Sequence, residues 1–233
     1  MSSELSIIHE DNHIIVVIKP QNLPSCPDAS GDMDLLTQIK EYRKINEKKE
    51  GEAFVGLVHR LDRVTGGVMV YAKTSKAASR LAEQLQGGEF QKKYLAIVVG
   101  TPKERSGKLE HHLLKNEKLN KVEVVGAATT GAKRAELDYN VVSIGKQVSL
   151  VEINLITGRS HQARVQMAQI GTPIFGDVKY GKGGKGNLAL WAHELCLNHP
   201  TTGERLKFIV NPPEELPWTL FDFSRKGHKY KDA

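Results

Sequence analysis

Cysteine is scarce: Cys26 and Cys196 are the whole complement of a 233-residue chain. Two distant thiols exclude a disulfide scaffold and leave too few ligands for a zinc site built mainly on cysteine. Long apolar runs are missing as well. Nowhere do ~18 apolar residues follow one another, and Met1 to Ser6 show no basic region leading into an apolar stretch. No membrane association is expected, and the cytoplasm is the default compartment. No internal repeat or low-complexity linker divides the chain, so one domain over 1–233 is expected, with a core over about 5–220 and a basic tail over about 222–233.

What is present is a chain able to bury a core, 39% hydrophobic and 26% charged. Lys and Arg number 33 against 27 Asp and Glu, for a formal net charge of +6. That balance favours a polyanionic partner only mildly, because solubility alone explains it equally well.

Elements follow from periodicity and punctuation. Leu5 to Lys19 reads as a hairpin turning at Glu10-Asp11-Asn12-His13. Leu35, Leu36, Ile39 and Tyr42 have helical spacing over Asp34 to Ile45. Val68 to Ala72 reads as a strand; Thr74 or Ser75 then caps a helix striped by Ala78, Leu81 and Leu85 and ended by Gly87-Gly88. A strand follows at Lys93 to Val99. From Thr101 to Arg134 eight Lys/Arg stand against four Glu, the pattern of strands and loops at a solvated edge. Ala135 to Ser143 and Val148 to Thr157 look like paired core strands, with Val151, Ile153 and Leu155 on one face. His161 to Ile170 is a compact helix closed by Gly171, and Leu188 to Leu197 and Leu206 to Val210 resume strand character. Strands outnumber helices without alternating with them. The expected fold class is α+β, a mixed, mostly antiparallel central sheet flanked by helices and loops.

Two segments carry chemistry. In His59-Arg60-Leu61-Asp62-Arg63-Val64-Thr65-Gly66-Gly67 a carboxylate stands near two arginines, in a turn that glycines make permissive. An Asp that merely caps the turn or pairs with a neighbouring Arg is the plainer reading of the local pattern. In Gly158-Arg159-Ser160-His161-Gln162-Ala163-Arg164 a strand ends and a helix begins, with Arg159 near the positive helix N-terminus, a place suited to phosphate. Two other matches fail. Gly176 to Lys182 approximates a phosphate loop, but Gly183 stands where Ser or Thr must hold magnesium, and Gly181-x-Gly183-x-x-Gly186 leads into no long helix. His111-His112 lacks metal-site spacing.

Taken together, the chain resembles the RluA-type RNA pseudouridine synthases. His59-Arg60-Leu61-Asp62 with Thr65 and Gly67 looks like the catalytic loop of that family. Further matches are Lys93-Tyr94-Leu95-Ala96, Gly158-Arg159-Ser160-His161-Gln162 with Arg164, Gly171-Thr172-Pro173-Ile174, Gly176-Asp177 and Tyr180-Gly181, with Lys19-Pro20 early and His199-Pro200 late. The matches run in order over roughly residues 7 to 217. Gly66 and Ala163 depart from the family's usual Ser and Ile, which bears on substrate detail and local packing. The resemblance starts almost at Met1, so a stand-alone catalytic domain without the N-terminal S4-type RNA-binding module is expected.

The resemblance implies that uridine in ribosomal or transfer RNA is detached at C1′, turned and rejoined through C5, without redox cofactor, ATP or metal. Asp62 is the implied catalytic carboxylate, able to add to the sugar, add to the base or remove the C2′ proton. Arg164 is its implied ion-pair partner, and Tyr94 the tyrosine that stacks on uracil and helps take the C5 proton. Arg60 is implied to fill the space of the flipped base. His59, Arg63, Arg159 and Leu155 complete the implied RNA contacts, with Leu155 as a floor beneath the uracil or, more plainly, a core leucine. The Lys/Arg of 101–134 and Arg225, Lys226, Lys229 and Lys231 of the tail are expected to meet phosphates, and the protein to act as a monomer. A non-enzymatic RNA-binding protein has no use for an ionised carboxylate facing phosphate. A two-carboxylate hydrolase would need a second acid that none of these segments supplies.

Overall fold

A computed structural model describes residues 5–48, 50–181, 186–223 and 229–230. The fold is α+β and consists of two compact units, Met1–Lys92 with Ala192–Val210 and Lys93–Trp191 with Asn211–Ala233.

The first unit opens with β1 (Ile7–Glu10) and β2 (Ile14–Lys19), followed by α1 (Leu35–Asn46), the two-residue β3 (Gly56–Leu57), β4 (Gly66–Ala72) and α2 (Ser75–Gly87). Asp34 caps α1 by accepting from the Thr37 amide, and Thr74 caps α2 through the Ala77 amide. Gly88 ends α2 in the left-handed conformation, φ 80°, which glycine enters without a Cβ penalty. β2 and β4 pair antiparallel, Ile14 opposite Ala72 and Lys19 opposite Gly67. Their continuous apolar runs are explained by cover on both faces. Ile14, Val16, Val68, Val70 and Ala72 pack with Ala77 and Leu81 of α2, while Ile15, Val17, Met69 and Tyr71 on the opposite face are equally buried.

The second unit carries β5 (Gln91–Val99), β6 (Ser106–Asn116), β7 (Lys121–Val125), β8 (Lys133–Ile144), β9 (Val148–Leu155) and α3 (Gln162–Gln169). Its strands lie in the order β5-β9-β8-β6-β7, each pair antiparallel. The polar stretch after Thr101 thus forms the β6–β7 hairpin. Leu113, Val122 and Ala135 bury Val165 of α3, and Gly171 closes the helix at φ 83°. The chain then returns to the first unit with β10 (Leu190–Asn198) beside β4 and β11 (Arg205–Ile209) antiparallel on β10. A last pair joins β12 (Phe221–Asp222) to β13 (Lys229–Tyr230). Arg225, Lys226 and Lys231 of the tail, and residues 182–185 of the glycine-rich loop, lie outside the described residues.

The basic segment behaves less uniformly than its composition suggests. Lys108 pairs with Glu136, Lys115 with Glu117, Lys121 with Glu123, and Arg134 with Glu110 and Glu136. Four of its eight cations are therefore already neutralised. Lys103, Arg105, Lys118 and Lys133 are exposed and form no ion pair among the described residues. Among these residues no helix is long and apolar enough to cross a membrane.

Asp11 locks the first unit's opening hairpin to its last. Its Oδ1 accepts the amides of His13 and Ile14 at 2.6 and 2.9 Å, and its Oδ2 meets His9 Nε2 at 3.1 Å and His199 Nε2 at 3.0 Å. The Nδ1 atom of His199 accepts the Thr202 amide, so its proton sits on Nε2 and points at Asp11. Partial burial would raise the Asp11 pKa, but the two amides and two histidines outweigh it and hold the carboxyl down at about 2. A depressed carboxyl adds stability that is complete above its unfolded pKa near 4 and is lost as pH falls toward 2. Urea unfolding of wild type against Asp11→Asn should therefore differ by about 1–2 kcal/mol near neutrality, after solvent screening, and converge near pH 2.

Candidate active site

The chain leaves the sheet after β3 and re-enters at β4 through the turn that carries Asp62. His59 stands two residues beyond β3, and its Nε2 accepts the Val70 amide of β4 at 3.2 Å. A side chain thus takes up a strand amide just where the backbone ladder stops. The ring is 8% exposed and packs edge-on against Phe90, centroids 5.1 Å apart. Burial, with Lys92 adding its charge, pushes the imidazole down to about 3. His59 is neutral, and with Nε2 accepting, its proton is assigned to Nδ1.

The rest of the turn is held by side chains from residues 19–25. Lys19 ends β2 with no exposed surface, and its Nζ donates to the carbonyls of Pro20, Leu23 and Arg63 at 3.0, 2.7 and 3.0 Å. Burial pushes this amine down to about 7, opposed by the charge of Asp62 and reinforced by that of Arg63. Gln21 donates to the Val64 carbonyl at 3.0 Å. The Ser25 hydroxyl accepts the Leu61 amide and donates to the Leu61 carbonyl, at 3.1 and 2.9 Å, so both polar groups of the residue before Asp62 are satisfied by one oxygen. The Ser25 carbonyl in turn accepts Tyr71 Oη of β4 at 2.7 Å. Within the turn, the Thr65 amide donates to the Asp62 carbonyl at 2.9 Å. Gly67 closes it at φ 123°, where a Cβ would lie 2.3 Å from the Ala192 carbonyl oxygen. Asp62 itself is half-buried and Arg60 exposed. Arg63 reaches back to the Asn22 carbonyl, the Ser30 hydroxyl and the Asp32 carboxylate.

In the second unit Tyr94 is buried on β5 opposite Ile153, and Leu155 is half-buried at the end of β9 opposite Leu137. The chain enters α3 through His161, at φ 52° in the left-handed region. Gln162 fixes this entry: its Oε1 accepts from the Thr157 hydroxyl and the Arg159 amide, and its Nε2 donates to the Glu136 carbonyl. Arg159 is exposed and donates through Nε to the Arg134 carbonyl at 3.0 Å. Arg164 is buried on α3, where Asp177 accepts its Nε and Nη2, each at 2.8 Å. Burial would raise the Asp177 pKa, but Arg164 and the amides of Lys179 and Tyr180 bring it below the usual carboxylate range.

The eight expected site residues therefore fall into two groups. His59, Arg60, Asp62 and Arg63 belong to the turn of the first unit, and Tyr94, Leu155, Arg159 and Arg164 to the second. His59 is largely enclosed and bonded to the sheet through the Val70 amide, so it braces the re-entry into β4. Lys19, Gln21, Ser25 and Asp177 were missed as contributors, although Lys19 and Asp177 lie in segments already singled out. A lysine ending an otherwise apolar strand was the available signal for the first. Among the described residues no group of His, Cys, Asp or Glu is placed to hold a metal ion.

A half-buried carboxylate on a side-chain-braced turn, set in an antiparallel α+β framework, fits an enzyme that handles a polyanion. The chain belongs to the RNA pseudouridylate synthase family, whose profile matches residues 13–169. It is an isomerase, an RNA pseudouridine synthase. It is 32% identical over 228 residues to the ribosomal large subunit pseudouridine synthase D of Zymomonas mobilis, covering 91% of this chain and 70% of that protein. The protein of the same name from Pseudomonas aeruginosa is 33% identical over 238 residues, covering 93% of this chain and 71% of the relative. Among solved structures, human RNA pseudouridylate synthase domain containing 4 superposes with a TM-score of 0.77 at 26% identity, over 92% of this chain and 91% of the other.

Lys19→Met keeps the length of the side chain and removes the ammonium, leaving three carbonyls without their donor. Unfolding free energy from urea titration should fall by about 2–4 kcal/mol. A loss below about 0.5 kcal/mol would show that the ammonium does not hold the turn.

Proposed function

We propose that this enzyme converts specific uridines of ribosomal RNA to pseudouridine with Asp62 as its catalytic carboxylate, the two units serving as one catalytic domain. The observation that carries the reading is the bracing of the Asp62 turn. Leu61, Arg63 and Val64 beside Asp62 each have a backbone group held by Ser25, Lys19 or Gln21, a degree of polar bracing that a mere surface turn does not need. The N1–C1′ bond breaks, the uracil turns, the C5–C1′ bond forms, C5 gives up its proton and N1 takes one, so substrate and product are isomers and no co-reactant is consumed. Ribosomal RNA is preferred to transfer RNA because both bacterial relatives bear the name of ribosomal large subunit enzymes.

Tyr94 is assigned to the uracil face and the C5 proton, and Arg164 to pairing with Asp62; both assignments rest on the family resemblance. Leu155 is assigned to the floor beneath the base. RNA phosphates are left to Arg159 and to the cations without carboxylate partners, Lys103, Arg105, Lys118 and Lys133, with Arg63 steadying the turn.

Asp62→Asn keeps size and removes charge. It should abolish tritium release from RNA labelled at uridine C5 while RNA affinity and melting temperature stay close to wild type. Retention of more than a few per cent of turnover removes Asp62 from its role. Comparing pseudouridines in RNA from cells with and without the gene names the target; a missing site confined to transfer RNA would overturn the ribosomal assignment.

Arg60, exposed two residues before Asp62, is proposed to replace the flipped base in the stack. Arg60→Ala should slow reaction on folded RNA far more than on an unstructured oligonucleotide of the same sequence, because an unstacked base has little flipping cost to overcome. Equal losses on both would assign Arg60 to the turn instead.

A further inference from the structure

Arg164 is held from two directions. In its plane, the Asp177 carboxylate meets it fork to fork, Oδ2 on Nε and Oδ1 on Nη2 at 2.8 Å, the geometry that gives an arginine pair its directionality. Over its face lies the Tyr180 ring, 5.3 Å from the guanidinium carbon. Both holders are themselves fixed. Asp177 Oδ1 also accepts the amides of Lys179 and Tyr180 at 2.9 and 3.2 Å. The Tyr180 hydroxyl accepts the Val122 amide at 2.8 Å and lies 2.7 Å from His161 Nδ1. The turn that presents Asp177 admits no side chain at Gly176, whose φ is 75° and whose Cβ would lie 2.4 Å from the Asn187 carbonyl oxygen.

The pair is deeply enclosed, with 4% of the Arg164 side chain and none of the Asp177 side chain exposed. Burying two charges costs solvation that a well-packed apolar pair of similar volume avoids, so stability alone gives little reason for it. What the arrangement does confer is orientation, because an unbraced arginine can turn about several bonds. Two of the guanidinium's nitrogens are committed to Asp177, which fixes where the third, Nη1, points.

We infer that Asp177 is the positioning residue of Arg164, fixing the orientation in which the guanidinium serves catalysis, with the Tyr180 ring preventing it from tilting. The inference rests on the reading that Arg164 serves catalysis. Asp177 touches no substrate in this scheme and acts only through Arg164.

The test compares wild type, Asp177→Asn, Arg164→Ala and the double variant by tritium release. The substrate is C5-labelled RNA from cells lacking the gene, at a temperature where circular dichroism shows each protein folded. Asp177→Asn should lower kcat by ~10-fold or more, since misplacement by about 1 Å costs up to ~100-fold, while KM stays within about twofold. Arg164→Ala should lose at least as much, and the double variant should be no worse than Arg164→Ala, because two residues acting through one contact do not add. Wild-type kcat for Asp177→Asn, or defects that multiply in the double variant, would overturn the inference. Wild-type kcat for Arg164→Ala would overturn the underlying reading instead. Should Asp177→Asn not fold, Asp177→Glu keeps the charge and shifts the guanidinium by one methylene; reduced kcat at unchanged KM is then expected, and unchanged kcat overturns the positioning role.

Discussion

The ammonium of Lys19 is the constraint on which the Asp62 turn depends. It lies at the end of β2 with no exposed surface and gathers carbonyls from both sides of a gap, Pro20 and Leu23 on one and Arg63 on the other. A neutral residue of the same length would leave three partly enclosed carbonyls without this donor, which no apolar packing repairs. Its charge is tolerated because those acceptors and the nearby Asp62 replace part of the lost hydration. Gln21 and Ser25 extend the same principle along the turn, so Asp62 inherits its position from polar side chains and from the register of β2 against β4.

The second unit solves a different problem. Arg164 sits on a short helix buried on nearly every side, so α3 has no apolar stripe to orient it. Polar partners supply the orientation: Gln162 ties its start to the Thr157–Arg159 turn and to Glu136, and Asp177 ties down Arg164. Such a helix depends on each of its polar bonds being made, since a half-satisfied buried network is worse than an apolar one.

Much of this was legible in the sequence wherever a local rule operates. Helices α1 and α2 were marked by apolar spacing with Asp34 and Thr74 at their starts, and Gly88 takes the conformation that its place after the helix requires. The β8–β9 pair was visible as two apolar runs around Gly145. Less legible was everything set by distant partners. Nothing near His59 in sequence reveals the Val70 amide it accepts. Lys108 and Arg134 meet Glu136 and Glu110 across the β6–β8 pair, whereas Lys115 and Lys121 meet carboxylates two residues on. The contact between Arg164 and Asp177 crosses a loop that periodicity does not describe. The candidate site was legible as residues and illegible as a network, since hydrogen bonds between segments leave no periodic trace.

The side chains that brace the Asp62 turn through residues 19–25 lie close to it along the chain. Lys19, Gln21, Asn22 and Ser25 hold Leu61, Arg63 and Val64, and His59 holds Val70, and none of these bonds spans more than 44 residues. Completion of the surrounding sheet waits for β10, which begins at Leu190. As the chain emerges from the ribosome, these bracing groups are therefore available long before the strand that makes the turn's surroundings stable. Closing short loops carries a smaller entropic cost than closing long ones, so the turn's geometry is encoded early and waits on the fold only to be made permanent.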